Sequence, residues 1–169
     1  MQLQRFAREQ DGATVIEFAI VIAPFLALLF AIIETAMVFF AGQTLETAVA
    51  DSSRLILTGQ AQKQNLDAAA FKAQVCARLV AMFDCNNGIM IDVRTASTFS
   101  GANTGSPVDA SGNIVNNFTY DAGKAGDIVV VRVMYQWPVI MPGLGYNLSN
   151  LSNGKRLLMA TAAFRNEPF

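Results

Sequence analysis

Few residues in this chain have the chemistry to do more than pack. Glu17 and Glu34 are the only charged residues in an apolar run, and Gly12 and Ala13 stand at its head. An ionised carboxylate in apolar surroundings needs a cation or a hydrogen-bond donor, so Glu17 is a pairing group in search of a partner. Cys76 and Cys85 could form a disulfide. The acids open to catalysis are Asp92, Asp109, Asp121 and Asp127, each read at a strand end or in a loop, where a solvated Asp is commonplace. The chain has no histidine, which removes Ser-His-Asp and Cys-His catalysis and most zinc sites together. No nucleophile–base pair, phosphate-binding glycine pattern or metal-ligand cluster stands out, so no catalytic residue, cofactor or metal is expected. The net charge is −1 and the pI about 5.3, too little basic field to hold phosphates, so nucleic acid is not an expected partner, nor is a small-molecule substrate.

The element that must position Gly12 and Glu17 is the apolar run itself. From Ala13 to Gly42, 24 of 30 residues are apolar. The rest of the chain is about 47% apolar, as in an ordinary globular protein. The 16 residues between the two glutamates, FAIVIAPFLALLFAII, carry no charge. About 20 helical residues cross a bilayer core of about 30 Å, so residues 13–42 read as a transmembrane helix. The glutamates are about 25 Å apart along such a helix and can lie near its two interfaces. The run is longer than a signal-peptide core and lacks a clear small-residue exit, which favours a retained anchor. Arg5 and Arg8 precede it, whereas the first basic residue on the far side is Arg54, so the N-terminus is expected inside and the C-terminus outside.

Helical spacing continues past the membrane through Leu45, Val49, Ser52, Leu55 and Ile56, with Gly59 as the stop. Residues 43–59 are thus an extramembrane continuation of one helix about 67 Å long, loosened or kinked at Pro24. Residues 60–169 read as an α+β domain. A second helix is expected over Leu66–Phe83, capped by Asn65, with Phe71, Val75, Leu79 and Met82 as its apolar stripe. Strands are expected over Ile89–Thr95, Asp127–Gln136 and Lys155–Phe164, forming an antiparallel sheet of about three strands packed on the helix. Gly101–Asn117, rich in Gly, Ser and Asn, reads as a long loop facing solvent or a partner. Tyr135 and Trp137 read as core or sheet-end packing, and Phe169 as the end of a strand tail tucked on the domain.

On a continuous helix Cys76 and Cys85 would be about 13.5 Å apart, and a disulfide needs their Cα atoms within about 7 Å. The helix must therefore end before Cys85 if the two are bonded, and Asp84, Asn86, Asn87 and Gly88 supply a turn. Two unrelated buried thiols are the alternative.

The stretch Asp11-Gly12-Ala13-Thr14-Val15-Ile16-Glu17-Phe18 resembles the type IV prepilin signal. That resemblance implies cleavage by a prepilin peptidase between Gly12 and Ala13, on the cytoplasmic side, releasing residues 1–12 as a leader. The new ammonium of Ala13 would sit one turn from Glu17, and pairing between neighbouring subunits would set their axial register, with Phe18 beside it. The stretches DGATVIEFAIVIAPF, Ile33-Glu34 and QTLETAV are similar to the TadE-like family, the minor pilins or pseudopilins of the tight-adherence (Flp) pilus machinery. Cys76/Cys85, Tyr135-Gln136-Trp137-Pro138 and the terminal Phe164–Phe169 block fit the same resemblance less specifically. It implies a bacterial inner-membrane protein with a periplasmic domain, present also in the pilus if incorporated. The partners it implies are prepilin peptidase, other pilins or pseudopilins, and Tad assembly proteins. Two other functions compete with a minor pilin: an unprocessed, membrane-anchored periplasmic scaffold or binding protein of the same machinery, and a membrane-anchored enzyme, for which the acids above offer little.

Overall fold

A computed structural model describes residues 11–79, 81–102, 105–140 and 146–169. Of the expected leader, residues 1–10 lie outside the described residues, as does the side chain of Ala13. The fold is α+β: a long N-terminal helix followed by a small domain with a helix and a three-stranded antiparallel sheet.

Helix α1 runs unbroken over Asp11–Leu57, through Pro24. Its two halves have different surroundings. Val15, Ile20, Val21, Leu28 and Ile32 are each at least 59% exposed. Beyond Glu34, one face is buried through Val38, Ala41, Leu45, Ala48, Val49, Ser52 and Ile56. Those positions recur every three or four residues, one stripe of a helix, and the two alanines let the sheet approach closely. Thr58 and Gly59 end the helix as expected, and Gly59 adopts φ 74°. A single turn, α2 (Gln60–Lys63), follows.

Helix α3 is Ala68–Cys76, shorter than the expected Leu66–Phe83, and its N-cap is Asp67, not Asn65. Asp67 has extended backbone and its Oδ1 accepts the Ala70 N–H at 2.7 Å, while Asn65 lies in the left-handed region with φ 50° and closes the preceding turn. The C-terminal half of the expected helix is lost to tight turns, with Arg78 N–H donating to Val75 O and Leu79 N–H to Cys76 O. The covalent bond from Cys76 to Cys85, Cα atoms 5.9 Å apart, requires the chain to double back there. Phe71 and Val75 are still fully buried, Leu79 is partly buried, and Met82 is 37% exposed.

Strands β1 (Ile89–Ala96), β2 (Ile128–Trp137) and β3 (Arg156–Arg165) lie within one or two residues of their expected bounds. The spatial order is β1-β2-β3, with Val93 opposite Val131 and Val131 opposite Ala162. Val93, Val129, Val131, Val133, Leu158 and Ala160 face α1 and α3 and complete the core. On the other face, Asp92 sits opposite Arg132 and Arg132 opposite Thr161.

Candidate assembly site on the long helix

The segment around the expected processing site is helical and open. Helix α1 begins at Asp11 and so includes the Gly12–Ala13 bond. Gly12 is exposed, and a Cβ built on it would meet nothing within 4 Å. Glu17 is exposed and makes no hydrogen bond or ion pair among the described residues; Phe18 beside it is 65% exposed. The helix thus offers an acid and a ring of large apolar side chains, with nothing among the described residues to cover either. Such a surface is stable in lipid or among other apolar helices, not in water.

Glu34, the second acid in the run, has a different setting. It is only 7% exposed, and its Oε1 accepts the N–H of Ile140 at 2.6 Å. One residue on, the Thr35 hydroxyl hydrogen-bonds the Tyr146 hydroxyl. The connection between β2 and β3 therefore meets α1 at the level of Glu34, where the exposed apolar half of the helix gives way to the packed half. Sequence reasoning placed Glu34 at an interface but missed this docking role. Its partners are more than 100 residues away and contribute a backbone N–H, which leaves no trace in side-chain pattern.

Asp92 corrects the reading of the four acids. It lies in the middle of β1, fully buried. Arg94 Nε donates to its Oδ1 at 2.9 Å, Arg132 Nη2 to its Oδ2 at 2.6 Å, and the Thr119 N–H to its Oδ1 at 3.0 Å. Burial by itself would raise the carboxyl pKa; the hydrogen bonds from Arg94, Thr119 and Arg132, with the Arg132 charge, outweigh it and hold the group below the usual carboxylate range. Arg132 also donates from Nη1 to Gly105 O at 2.8 Å. Pro107, two residues on, is buried, and Val93 exchanges hydrogen bonds with Thr119 and Asp121 along the edge of β1. The Gly101–Asn117 loop, of which Asn103 and Thr104 lie outside the described residues, is largely exposed, as expected, and its Gly105 and Asn117 carbonyls also hold Arg132 and Arg94.

The other three acids order local turns. Asp109 Oδ1 accepts from the N–H groups of Ser111 and Asn113, and the Asn113 N–H is the main cause holding its pKa down. Asp121 accepts from Thr95 Oγ1 and Gly123 N–H, and Asp127 from Lys124 N–H.

The disulfide loop is fixed to the sheet by aromatic packing. Phe83 meets Tyr135 and Trp137 edge-on at 4.9 and 5.9 Å between ring centres, and the Asp84 N–H donates to the Tyr135 hydroxyl. Tyr135 and Trp137, 7% and 5% exposed, are core residues as read from the sequence. The terminal segment is tucked in too. The Glu167 N–H donates to Leu57 O at the end of α1, and the Phe169 ring lies against Gly59.

Residues 12–54 match the family model of TadE-like proteins. The TadE-like segment begins at the candidate processing glycine, takes in Glu17 and Glu34, and ends in the last turn of α1. It supports a part in the tight-adherence pilus system, whose TadE-like members are pilus components and are not known as enzymes. The helix long and apolar enough to cross a membrane, Thr14–Leu57, together with this match, supports a membrane-anchored protein. No curated protein and no solved structure matches the chain.

Proposed function

We propose that the chain is a minor pilin or pseudopilin that acts in assembly of tight-adherence pili for surface attachment. The observation that carries this reading is the exposed, TadE-like half of α1: an acid at Glu17 with no partner among the described residues, five residues after Gly12, on a helix with exposed apolar side chains all round. Cleavage by a prepilin peptidase after Gly12 would place the Ala13 ammonium at the helix base. When such helices bundle, that ammonium on one subunit and Glu17 on the next each need an opposite charge, and one axial stagger supplies both. The reading is structural rather than enzymatic. Its partners are the inner membrane, the peptidase, other pilins and Tad assembly proteins.

The membrane-spanning part is then narrower than residues 13–42. From Glu34 onward one side of α1 faces the domain, so the stretch able to meet lipid on all sides is residues 12–33, about 33 Å long. That equals the bilayer core with little to spare. The leader would be cytoplasmic and the domain periplasmic.

N-terminal mass spectrometry of the protein from its native membrane tests the reading. A mature chain beginning at Ala13 is expected, and Gly12→Val should leave the full-length mass. A wild-type mature chain that keeps Met1 would instead support the unprocessed scaffold. Glu17→Val should leave cleavage and insertion intact but reduce pilus yield. Immunodetection in sheared pili against inner membrane then separates incorporation in the fibre from assistance at the membrane.

A further inference from the structure

Ile140 and Tyr146, in the described parts of the connection between β2 and β3, present apolar surface that the domain does not use. Ile140 is 71% exposed, more than Ile32 or Ile33 of the apolar helix, although it follows a strand whose residues are almost all buried. Its backbone is not free to wander: the Ile140 N–H is held by Glu34. Tyr146, further along the same connection, is tied by its hydroxyl to Thr35, and its side chain remains 37% exposed. Both attachments lie where the all-round exposed helix ends, about 33 Å from Gly12. On α1 itself exposed apolar surface continues just past this level, with Phe39 at 74% and Phe40 at 56% exposure, before Gln43 begins the polar region. No residue from Val133 to Gly154 carries a charge.

We infer that Ile140 and the Tyr146 ring form a second, interfacial membrane contact. Glu34 and Thr35 hold this contact against the helix, and it enters the outer boundary of the bilayer together with Phe39 and Phe40. The inference rests on the membrane-anchored reading above. The occupant is lipid because this surface continues the lipid-facing surface of the span at its outer end. It is also uncharged, and it places an aromatic ring with a bonded hydroxyl at the depth where such rings concentrate. Phe39 and Phe40 lie about 7.5–9 Å beyond Glu34 along the axis, within the depth that interfacial apolar groups occupy. The domain would thus rest on the membrane at two points, which fixes its tilt relative to the helix.

The test uses the full chain with Cys76 and Cys85 oxidised, so that an introduced cysteine is the reactive thiol. Ile140→Cys, Phe25→Cys and Phe99→Cys are each labelled with the environment-sensitive fluorophore NBD. They are then reconstituted at high lipid-to-protein ratio into phosphatidylcholine–phosphatidylglycerol vesicles with or without lipid spin-labelled near the headgroup. The label at position 140 should be quenched by that lipid at least about twofold more than the label at position 99, which marks solvent. The label at position 25 should be buried in the span. Quenching at 140 no greater than at 99, with 25 buried, overturns the inference and leaves the membrane anchor standing. A solvent-like label at 25 overturns both. A label at 140 that becomes buried only in crowded vesicles and is not quenched by the spin-labelled lipid identifies a second copy as the occupant and also overturns the lipid assignment. Glu34→Gln serves as a second variant: it keeps the acceptor oxygen and should preserve quenching at 140, whereas Glu34→Ala should reduce it with no change at 25.

Discussion

Asp92 shows how much one buried carboxylate can hold. It joins β1 to β2 through Arg132, binds Arg94 on its own strand, and receives the Thr119 N–H from the covering segment. Removing one member of a buried ion pair typically costs about 3–5 kcal/mol, because the other charge stays behind without its counterion. Asp92→Ala should lower domain stability by about that amount, read in a urea melt followed by far-UV dichroism. The pH dependence follows in sign. The folded pKa is depressed, so the contribution is present above the unfolded value of about 3.9 and is lost as pH falls through the folded value. The wild-type melt should therefore weaken in acid, below about pH 4, and this weakening should be smaller in Asp92→Asn. A different single position, Gly59, combines a left-handed φ of 74° with the Phe169 ring packed where a Cβ would stand. Gly59→Ala should cost at least about 1 kcal/mol and loosen the C-terminal segment, detectable as faster proteolysis there.

At the scale of elements, α1 is one continuous helix with two surroundings, an exposed apolar half and a packed half. Its C-terminal half is held by the sheet along the Ala41–Ile56 stripe, and its N-terminal half is exposed among the described residues. This division makes the effect of Glu17→Val specific: assembly should suffer while the domain's melting temperature stays unchanged, since no described group contacts Glu17. The disulfide works on the other helix. It closes a loop of about ten residues, a constraint on the unfolded chain of about 2.7 kcal/mol in the entropy estimate. The Cys76→Ser/Cys85→Ser double variant should be destabilised by about that much, with the loss concentrated in α3 and the Phe83 turn, as hydrogen exchange would show. Phe83 packs on Tyr135 and Trp137, so loosening this turn also exposes one end of β2.

For the whole molecule, the domain's contacts with α1 start at Glu34 and continue to Leu57. A chain trimmed to residues 34–169 keeps every core position from Val38 onward. It should fold with the near-UV dichroism of the full protein and should no longer require detergent, whereas trimming to residue 50 removes Ala41, Leu45, Ala48 and Val49 from the core and should prevent folding. Solubility without detergent and a cooperative thermal transition in the first chain but not the second are the measurements that check this.

Much of the molecule follows from local sequence. The apolar run, the Gly12–Glu17 spacing, the three strands and the TadE-like segment are all patterns within short windows, because solvent preference and backbone period act residue by residue. The extent of the second helix and the setting of Asp92 and Glu34 needed the tertiary structure. α3 stops at Cys76 because a bond to Cys85 turns the chain back, although the apolar spacing continues to Met82. Asp92 is buried because Arg132 stands opposite it in the register of β1 and β2, and strand register is a long-range choice. Glu34 is covered because a backbone N–H from Ile140 arrives there. Sequence alone determined that this protein has a membrane-length helix with an acid five residues after Gly12. Only the tertiary structure decided where the exposed apolar half of that helix gives way to its packed half, because that boundary is set by contacts between residues a hundred positions apart.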